Sequence, residues 1–302
     1  MKTITDFEKK WEEEAKNLTL YHFSSIDSIS KILESNYFFA THISFENDKR
    51  EFLAAFEVLE TVLNERLEDE NEEQRKKVLK ETLKWINKYL DYLNENEITK
   101  MVSETEKMKI YGAIESGSSI SRYMYCIICF SEESDEKLHW NFYGNRGKGC
   151  RIAFKATELK KSFELNGVKA YLCKCIYDKT EQKDFINALI EKTFEQESLL
   201  QKPELFGKEL LNMFLQYACI IKDWQNESEW RLVYKQIPSE LMKLRQKNVA
   251  YCEIPITNLN ICCQEILLGP RVNESEVKSK LNNGLVKNDL QGIIFGKSKV
   301  EI

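Results

Sequence analysis

The sequence predicts a single α+β domain over residues 1–302, with a helical insertion at residues 50–115. Strand-like and helix-like segments are mixed without the regular alternation of parallel βαβ units, which favours α+β over α/β. Two long segments of the insertion are densely charged and hold no proline or glycine, as is typical of helices with a solvated face. The last third of the chain is mostly strand-like.

Composition is that of a folded globular protein. Hydrophobic residues make up 42% of the chain and charged residues 31%, so extended disorder is not expected. The 44 basic and 49 acidic residues are interspersed and give a net charge of −5. That balance indicates no broad nucleic-acid surface but leaves room for a local basic groove. The acidic beginning of the chain and the lack of a long apolar stretch predict a soluble protein without a secretory signal or a membrane partner.

The elements before residue 120 follow from apolar spacing. Thr5 and Glu8 predict a capping box that begins a helix over residues 5–16. The next elements are a strand in "LTLYHF", a helix with Ile26, Ile29, Ile32 and Leu33 on one face, a strand in "YFFATH" and a polar loop in "ISFENDKREF". The insertion then contains the helical segments "EFLAAFEVLETVLNERL" and "EEQRKKVLKETLKWINKYLDYL".

Strand-like character returns after the insertion. Strands are predicted in "RYMYCIICFS", "GCRIAFK" and "KAYLCKCIYD", and two helices follow, the second beginning at Pro203. The remaining strands are predicted in "EWRLVYK", "VAYCEIPI", "CCQEILLGP" and "GIIFGKSKVEI", with one helix near "ESEVKSKL".

The nine cysteines favour a cytoplasmic protein with reduced, buried thiols, because several lie inside apolar runs. Cys126 and Cys129 form a CxxC, but no second pair follows at zinc spacing. Cys173 and Cys175 would share one face of a strand, again without further ligands. We therefore expect core packing and no metal.

Two segments place polar side chains where strands end. In "YHFSS", His22 and Ser24 would point to the same face of a strand, where they could bind a common ligand or each other. In "FENDKREF", Asn47 and Asp48 favour a turn, and a ligand role is the minority interpretation.

A third segment, "HWNFYGNRGKG", is predicted to be an aromatic loop before a glycine-rich basic turn. Its glycines lack phosphate-loop spacing, so it is not a nucleotide motif by itself. Its aromatic side chains beside two cations would suit a planar, phosphate-bearing ligand, or could equally pack beneath a hairpin. The aromatic residues are Trp140, Phe142 and Tyr143, and the cations are Arg146 and Lys148.

The fourth segment, "ESEWRLV", begins a strand with Glu227 and Glu229 two residues apart. Such a pair either forms surface salt bridges, for instance with Arg231, or presents carboxylates to a cleft. Paired carboxylates support acid–base chemistry and stabilise oxocarbenium ions.

Five stretches together resemble a bacterial family, the domain-of-unknown-function family 2971. They are "LYHFSS…KILES", "FENDKREF", "CFSEESDEKLHWNFYGNRGKGCRIAF", "ESEWRLV" and "QEILLGPR", in the family's order across residues 18–271. The chain departs from the family pattern at Lys49, where proline is usual, at His139, where methionine is frequent, and at Phe142, where histidine is common. The family label implies no activity.

The order of a first-strand histidine, an aromatic segment and a late glutamate is similar to ADP-ribosyltransferases of the His–Tyr–Glu type. This resemblance implies a split mixed or antiparallel sheet and NAD as the substrate. His22 and Ser24 match the ribose-binding element, and Tyr143 matches the tyrosine that stacks on nicotinamide. Glu229 matches the glutamate that stabilises the oxocarbenium-like state, and Glu227 completes the E-x-E spacing of many such enzymes.

The resemblance therefore implies an NAD-dependent transferase whose catalytic residues are Glu229, His22 and Tyr143. The residues expected to bind NAD are His22, Ser24, Trp140, Tyr143, Arg146 and Glu227. Bacterial enzymes of this kind act as toxins or in phage defence. The sequence indicates neither the acceptor nor the oligomeric state.

Two other classes stay open. One is a metal-dependent nuclease or hydrolase that uses His22, Asp48 and Glu229, which would require these groups to converge on an ion. The other is a sensor that binds a nucleotide in the same pocket without chemistry.

Overall fold

The computed structural model describes residues 2–42, 49–94, 126–165, 170–222, 227–234, 242–245 and 249–302, in which ten strands form one sheet. The strands are β1 (Thr19–Ser24), β2 (Tyr37–His42), β3 (Cys126–Ser131), β4 (Cys150–Lys155), β5 (Ala170–Lys174), β6 (Glu229–Tyr234), β7 (Met242–Arg245), β8 (Val249–Pro255), β9 (Cys263–Leu268) and β10 (Ile294–Lys297). The longer helices are α1 (Ile4–Ala15), α2 (Ile26–Ser35), α3 (Lys49–Asp69), α4 (Glu73–Asn94), α5 (Lys137–Phe142), α6 (Ala156–Leu165), α7 (Lys179–Phe194), α9 (Pro203–Tyr217) and α11 (Glu274–Lys287). Single turns form α8 (Glu197–Leu200) and α10 (Leu259–Cys262), and a 3₁₀ turn (Ala218–Ile220) follows α9.

The strands run in the order β10-β9-β4-β1-β3-β2-β8-β7, and β6 pairs with both β3 and β5. Neighbours are antiparallel except for β9 and β10, which run parallel. This open mixed sheet, with helices inserted irregularly between its strands, confirms the predicted α+β class.

β3 is the branch point of the sheet. Along one edge, residues 126–131 pair with residues 229–234 of β6. Along the other edge, the start of β3 pairs with β2, and Ser131 at its end pairs with Tyr21 of β1. Residues 128–130 pair with neither β1 nor β2, so the sheet has a gap between these two strands.

The N-cap of helix α1 lies two residues before the one that the sequence pattern predicts. Thr3 is the N-cap: its hydroxyl accepts a hydrogen bond from the Asp6 amide at 3.2 Å, and the Asp6 carboxylate accepts one from the Thr3 amide at 2.7 Å. The capping box predicted at Thr5 and Glu8 is therefore wrong by two residues, because the same hydroxyl-x-x-acid pattern occurs twice and the first copy forms the box. The predicted apolar face is confirmed, and its buried members are Phe7, Trp11 and Ala15.

The described part of the predicted insertion consists of α3 and α4. These helices contact each other, and they pack on α7 and α9 rather than on the sheet. Phe56 of α3 meets Phe214 of α9 with ring centroids 4.9 Å apart. Residues 95–115 of the insertion lie outside the described residues. Among the helices that the structure describes, none is sufficiently long and apolar to cross a bilayer.

All nine cysteines have free thiols. Eight of them are buried, and Cys129 is half-buried. Burial raises the pKa of Cys150 and Cys262 to about 12, so these two thiols stay protonated and pack as small apolar side chains, as predicted.

Candidate functional site

A cavity of about 190 Å³ lies at the gap in the sheet. Its wall comes from β1, β2 and β3, from α5, and from the segment that leads into β6. These elements bring together side chains that are up to 208 residues apart in sequence, from Tyr21 to Glu229. His22, His139, Tyr143, Glu227 and Glu229 all line this one cavity.

His22 bridges the gap between β1 and β3. Its Nδ1 lies 3.0 Å from the carbonyl oxygen of Cys129, in the stretch of β3 that has no strand partner on this side. A carbonyl can only accept, so Nδ1 carries the hydrogen and donates it. The imidazole thus satisfies a backbone group that a neighbouring strand would otherwise pair.

The surroundings keep His22 neutral. Its ring packs against Phe38 and Phe130, with centroids 5.5 and 5.7 Å away. Burial lowers the pKa of His22, and the hydrogen bond to the Cys129 carbonyl raises it by less. Because Nδ1 holds the proton, Nε2 is left as a bare acceptor, and no described residue donates to it.

Four buried charged side chains form an ion cluster beside the cavity: Lys222, Glu227, Glu229 and Arg231. Lys222 Nζ donates to Glu227 Oε2 at 2.5 Å and also to Glu229 Oε2. Arg231 grips Glu229 with two bonds, from Nε to Oε1 at 2.8 Å and from Nη2 to Oε2 at 3.1 Å. The formal charges cancel, which is what makes burial of four ions tolerable. Glu229 thus pairs with Arg231, as one interpretation of the sequence expected, but in the interior and at the cavity wall.

The ion cluster holds Glu229 in its charged form. Burial pushes the pKa of Glu229 up, but the charges of Arg231 and Lys222 outweigh burial and lower that pKa to about 2. Glu229 is therefore a permanent anion near neutral pH. It can act through its charge and is a weak proton acceptor.

Tyr143 reaches the ion cluster from the end of α5. Its hydroxyl donates to Glu227 Oε1 at 2.7 Å, while 43% of the residue remains exposed. Burial of the hydroxyl, followed by the bond to Glu227, raises the pKa of Tyr143. Tyr143 is therefore a neutral donor that lines the cavity and stays partly exposed.

His139 lies one helical turn before Tyr143, and its ring stacks on Phe23 with centroids 5.2 Å apart. Burial lowers the pKa of His139. A hydrogen bond to the Glu227 backbone and the charges of nearby carboxylates raise this pKa by less. Its Nδ1 is buried and has no partner among the described residues. The prediction of a loop is wrong for residues 137–142, which form α5. The i, i+4 spacing of His139 and Tyr143 could have indicated that the two side chains share one side of a helix. α5 has no side-chain N-cap and only six residues, so local patterns do not reveal it.

Three residues predicted to bind NAD lie elsewhere. Ser24 and Trp140 do not line the cavity, and Arg146 lines a different pocket, on the far side of α5. Trp140 is fully buried, and its Nε1 donates to Asp135 Oδ1 at 2.6 Å. Its ring is therefore a core element in this conformation and has no free face for stacking.

The glycines around residue 147 serve close packing. A Cβ on Gly149 would lie 2.2 Å from the backbone oxygen of Ser24, and one on Gly269 would lie 2.4 Å from that of Gly147. A backbone hydrogen bond joins two of these segments: the Gly269 amide donates to the Gly149 oxygen at 2.9 Å. Glycine is therefore required at these two positions, where three backbone segments meet.

The described residues contain no cluster of metal-binding side chains that would fit the metal-dependent alternative. No group of three or more histidine, cysteine or acidic side chains is arranged there to hold an ion. Glu229 is occupied by two cations and Nδ1 of His22 by a carbonyl. Asp48, the third residue of that hypothesis, lies outside the described residues, as does Asn47.

Comparison with known proteins supports the family resemblance. The family model described as "Protein of unknown function (DUF2971)" matches residues 139–232, which hold the last four residues of α5, Tyr143 and the ion cluster. No curated protein and no solved structure matches the chain significantly.

Proposed function

We propose that this protein is an NAD-dependent ADP-ribosyltransferase, with the nicotinamide-ribose end of NAD bound at the gap in the sheet. The observation that carries the proposal is convergence: His22, Tyr143 and Glu229 line the same cavity. They come from β1, from the end of α5 and from the start of β6, in the chain order that the resemblance implies. Tyr143 offers its ring to nicotinamide, and Nε2 of His22 accepts a hydrogen bond from a ribose hydroxyl.

The reaction divides into bond breaking and capture. The bond between ribose C1′ and the nicotinamide nitrogen breaks, and both electrons leave with nicotinamide, which becomes neutral. The positive charge moves to an oxocarbenium-like ribose. An acceptor nucleophile then bonds to C1′ and loses its proton to a carboxylate.

The two glutamates divide these tasks. Glu229 keeps its charge, since its pKa is about 2, and it lowers the energy of the cationic ribose through that charge. Glu227 is bound through Oε1 by Tyr143 and through Oε2 by Lys222. We assign proton acceptance to Glu227, because Glu229 is held by both Arg231 and Lys222.

A second candidate follows from the ion cluster itself. Lys222 and Arg231 neutralise the two glutamates, which weakens the net field that a cationic ribose would meet. This observation favours a sensor that binds the nicotinamide nucleotide without cleaving it. The two functions differ in one readout, the release of nicotinamide.

We further propose a cytoplasmic bacterial effector of the toxin or phage-defence type. Nine free thiols support the compartment, because reducing surroundings preserve them. The biological role comes from the resemblance alone.

The test uses NAD labelled on its adenylate phosphate, incubated with the protein and bacterial lysate. Nicotinamide release and transfer of label are followed together. Glu229→Gln should lower the rate by roughly two to three orders of magnitude, since it removes one aligned charge. Tyr143→Ala serves as a second variant, because it removes the ring proposed to stack on nicotinamide from a residue that is 43% exposed, and it should also lower the rate.

Glu253→Gln is the matched control. Glu253 is also a strand glutamate paired with a lysine, Lys243 at 2.5 Å, but it lies in β8 and not at the cavity. It should leave the rate unchanged. Equal turnover by wild type and Glu229→Gln would remove Glu229 from the mechanism, and NAD binding without nicotinamide release would select the sensor.

A further inference from the structure

A second pocket, of about 610 Å³ and open to solvent, lies on the other side of α5 from the cavity. Successive residues of an α-helix are turned by about 100°, so positions two apart face opposite ways. His139 and Tyr143 face the cavity, whereas Lys137 and Asn141 face this pocket. The lining residues are Lys137, Asn141, Phe142, Arg146, Arg271 and Ile302.

The second pocket carries three cationic side chains and no carboxylate side chain in its lining. Lys137, Arg146 and Arg271 are all exposed. Neither Lys137 nor Arg146 has an ion-pair partner in the part of the chain that the structure describes, and Arg271 donates to the backbone oxygen of Ile302. A concave site of this charge attracts an anion, and arginine pairs bind phosphate best. It is the local basic groove that a net charge of −5 still permits.

An exposed aromatic ring borders the same charges. Phe142 is 70% exposed, the highest value among the large hydrophobic side chains of the described surface. An apolar ring left in water beside cations is the arrangement that single-stranded nucleic-acid sites use to stack a base next to its phosphate.

The backbone fixes these groups in position. Asn145 and Arg146 have φ values of 50° and 54°, in the left-handed region that non-glycine residues avoid. The Gly147 amide donates to the Trp140 oxygen at 3.0 Å, and the Arg271 amide donates to the Gly147 oxygen at 2.9 Å. The segments that bear the two arginines are therefore bonded side by side.

From this juxtaposition we propose that the second pocket binds a phosphate-bearing nucleotide, with the base on Phe142 and the phosphate between Arg146, Arg271 and Lys137. The nucleotide is supplied either by a single-stranded nucleic acid or as a free mononucleotide. The inference does not depend on the proposed transferase activity, and its test contains no NAD.

The test measures the fluorescence anisotropy of a labelled single-stranded oligonucleotide of about twelve nucleotides, at salt concentrations from about 50 to 200 mM. The variants are Arg146→Ala with Arg271→Ala, and Phe142→Ala. Lys31→Ala is the matched control, since Lys31 is an exposed lysine on α2 with no ion pair among the described residues. Adenosine monophosphate and inorganic phosphate serve as competitors, and circular dichroism checks that each variant folds.

We expect the double arginine variant to bind at least about tenfold more weakly, with a salt slope reduced by about one per lost phosphate contact. Phe142→Ala should lose about tenfold with an unchanged slope, because stacking is not screened by salt. If adenosine monophosphate competes as strongly as the unlabelled strand, the free nucleotide is the source. If adenosine monophosphate competes only weakly, the strand is the source. Binding that neither variant weakens relative to Lys31→Ala, or no binding of the labelled oligonucleotide, would overturn the proposal. Equal competition by inorganic phosphate together with full binding by Phe142→Ala would overturn its nucleotide part.

Discussion

Nδ1 of His22 donates to the carbonyl oxygen of Cys129 across a distance of 3.0 Å. This one bond joins β1 to the stretch of β3 that lacks a strand partner on this side, and it fixes which ring nitrogen carries the proton. The scarce histidine at the end of the first strand therefore has a structural role and a free nitrogen for a ligand at the same time.

The two roles of His22 can be separated by substitution. In His22→Asn, the amide nitrogen occupies the place of Nδ1 and can still donate to Cys129, but no Nε2 is present. In His22→Leu, the carbonyl loses its donor, which should lower the free energy of unfolding by about 1–3 kcal/mol. Urea unfolding should show the leucine variant to be clearly less stable than the asparagine variant, while NAD binding is lost in both. Full NAD binding by His22→Asn would show that Nε2 contacts no ligand.

Lys222 should be the residue on which the ion cluster depends most. Lys222→Met leaves the buried Glu227 and Glu229 without their shared cation, and the expected loss is about 3–5 kcal/mol in the free energy of unfolding. Adding Glu227→Gln removes one uncompensated charge, so the double variant should recover part of that loss. Urea unfolding of the two single variants and the double variant measures the coupling. Strictly additive effects would mean that Lys222 and Glu227 do not form a buried pair.

Stability should fall in two steps on acidification. The folded-state pKa values of His22 and His139 lie below the unfolded value of 6.5, so below about pH 6.5 the unfolded chain binds more protons and stability decreases with falling pH. Glu229 adds a second loss between its unfolded pKa of 4.5 and its folded pKa of about 2, on the order of 3 kcal/mol. Urea midpoints at several pH values test this. A His22→Asn, His139→Gln double variant should flatten the first step, and an unchanged first step would assign it to other groups.

Cys129 should react before the other eight thiols. It is the half-buried cysteine, and it lines the cavity, whereas the remaining cysteines are buried. Brief iodoacetamide treatment of the native protein, followed by peptide mass spectrometry, should find label mainly at Cys129. NAD at millimolar concentration should slow this labelling, and equal labelling with and without NAD would indicate that the nucleotide does not enter the cavity.

The strands and most helices were predictable because their signal is local. Alternation and helical spacing predicted nine of the ten strands that the structure describes, and α1, α2, α3, α4, α7, α9 and α11. The missed elements lacked a clear local signal. β7 has only four residues, and α6 follows β4 directly without a turn signal. α5, read as a loop, lacks a capping side chain.

Residues of the candidate site were predictable only where the residue type itself suggests a role in binding or catalysis. His22, Tyr143, Glu227 and Glu229 were recognised from residue type and chain order, and they do share a cavity. Lys222 was missed, because it follows the apolar run "ACII" and only its distant partners reveal its charge role. Trp140 was expected to bind a ligand but is core, since an aromatic segment does not show which of its rings face inward.

The proposed function requires that the cavity at the gap bind the nicotinamide end of NAD. Saturation-transfer difference NMR on NAD with the wild-type protein reports which ligand protons touch the protein. We expect strong transfer to the nicotinamide ring protons, lost in Tyr143→Ala and His22→Asn and retained in Glu253→Gln. Transfer confined to the adenine protons, or nicotinamide transfer that survives both cavity substitutions, would contradict it.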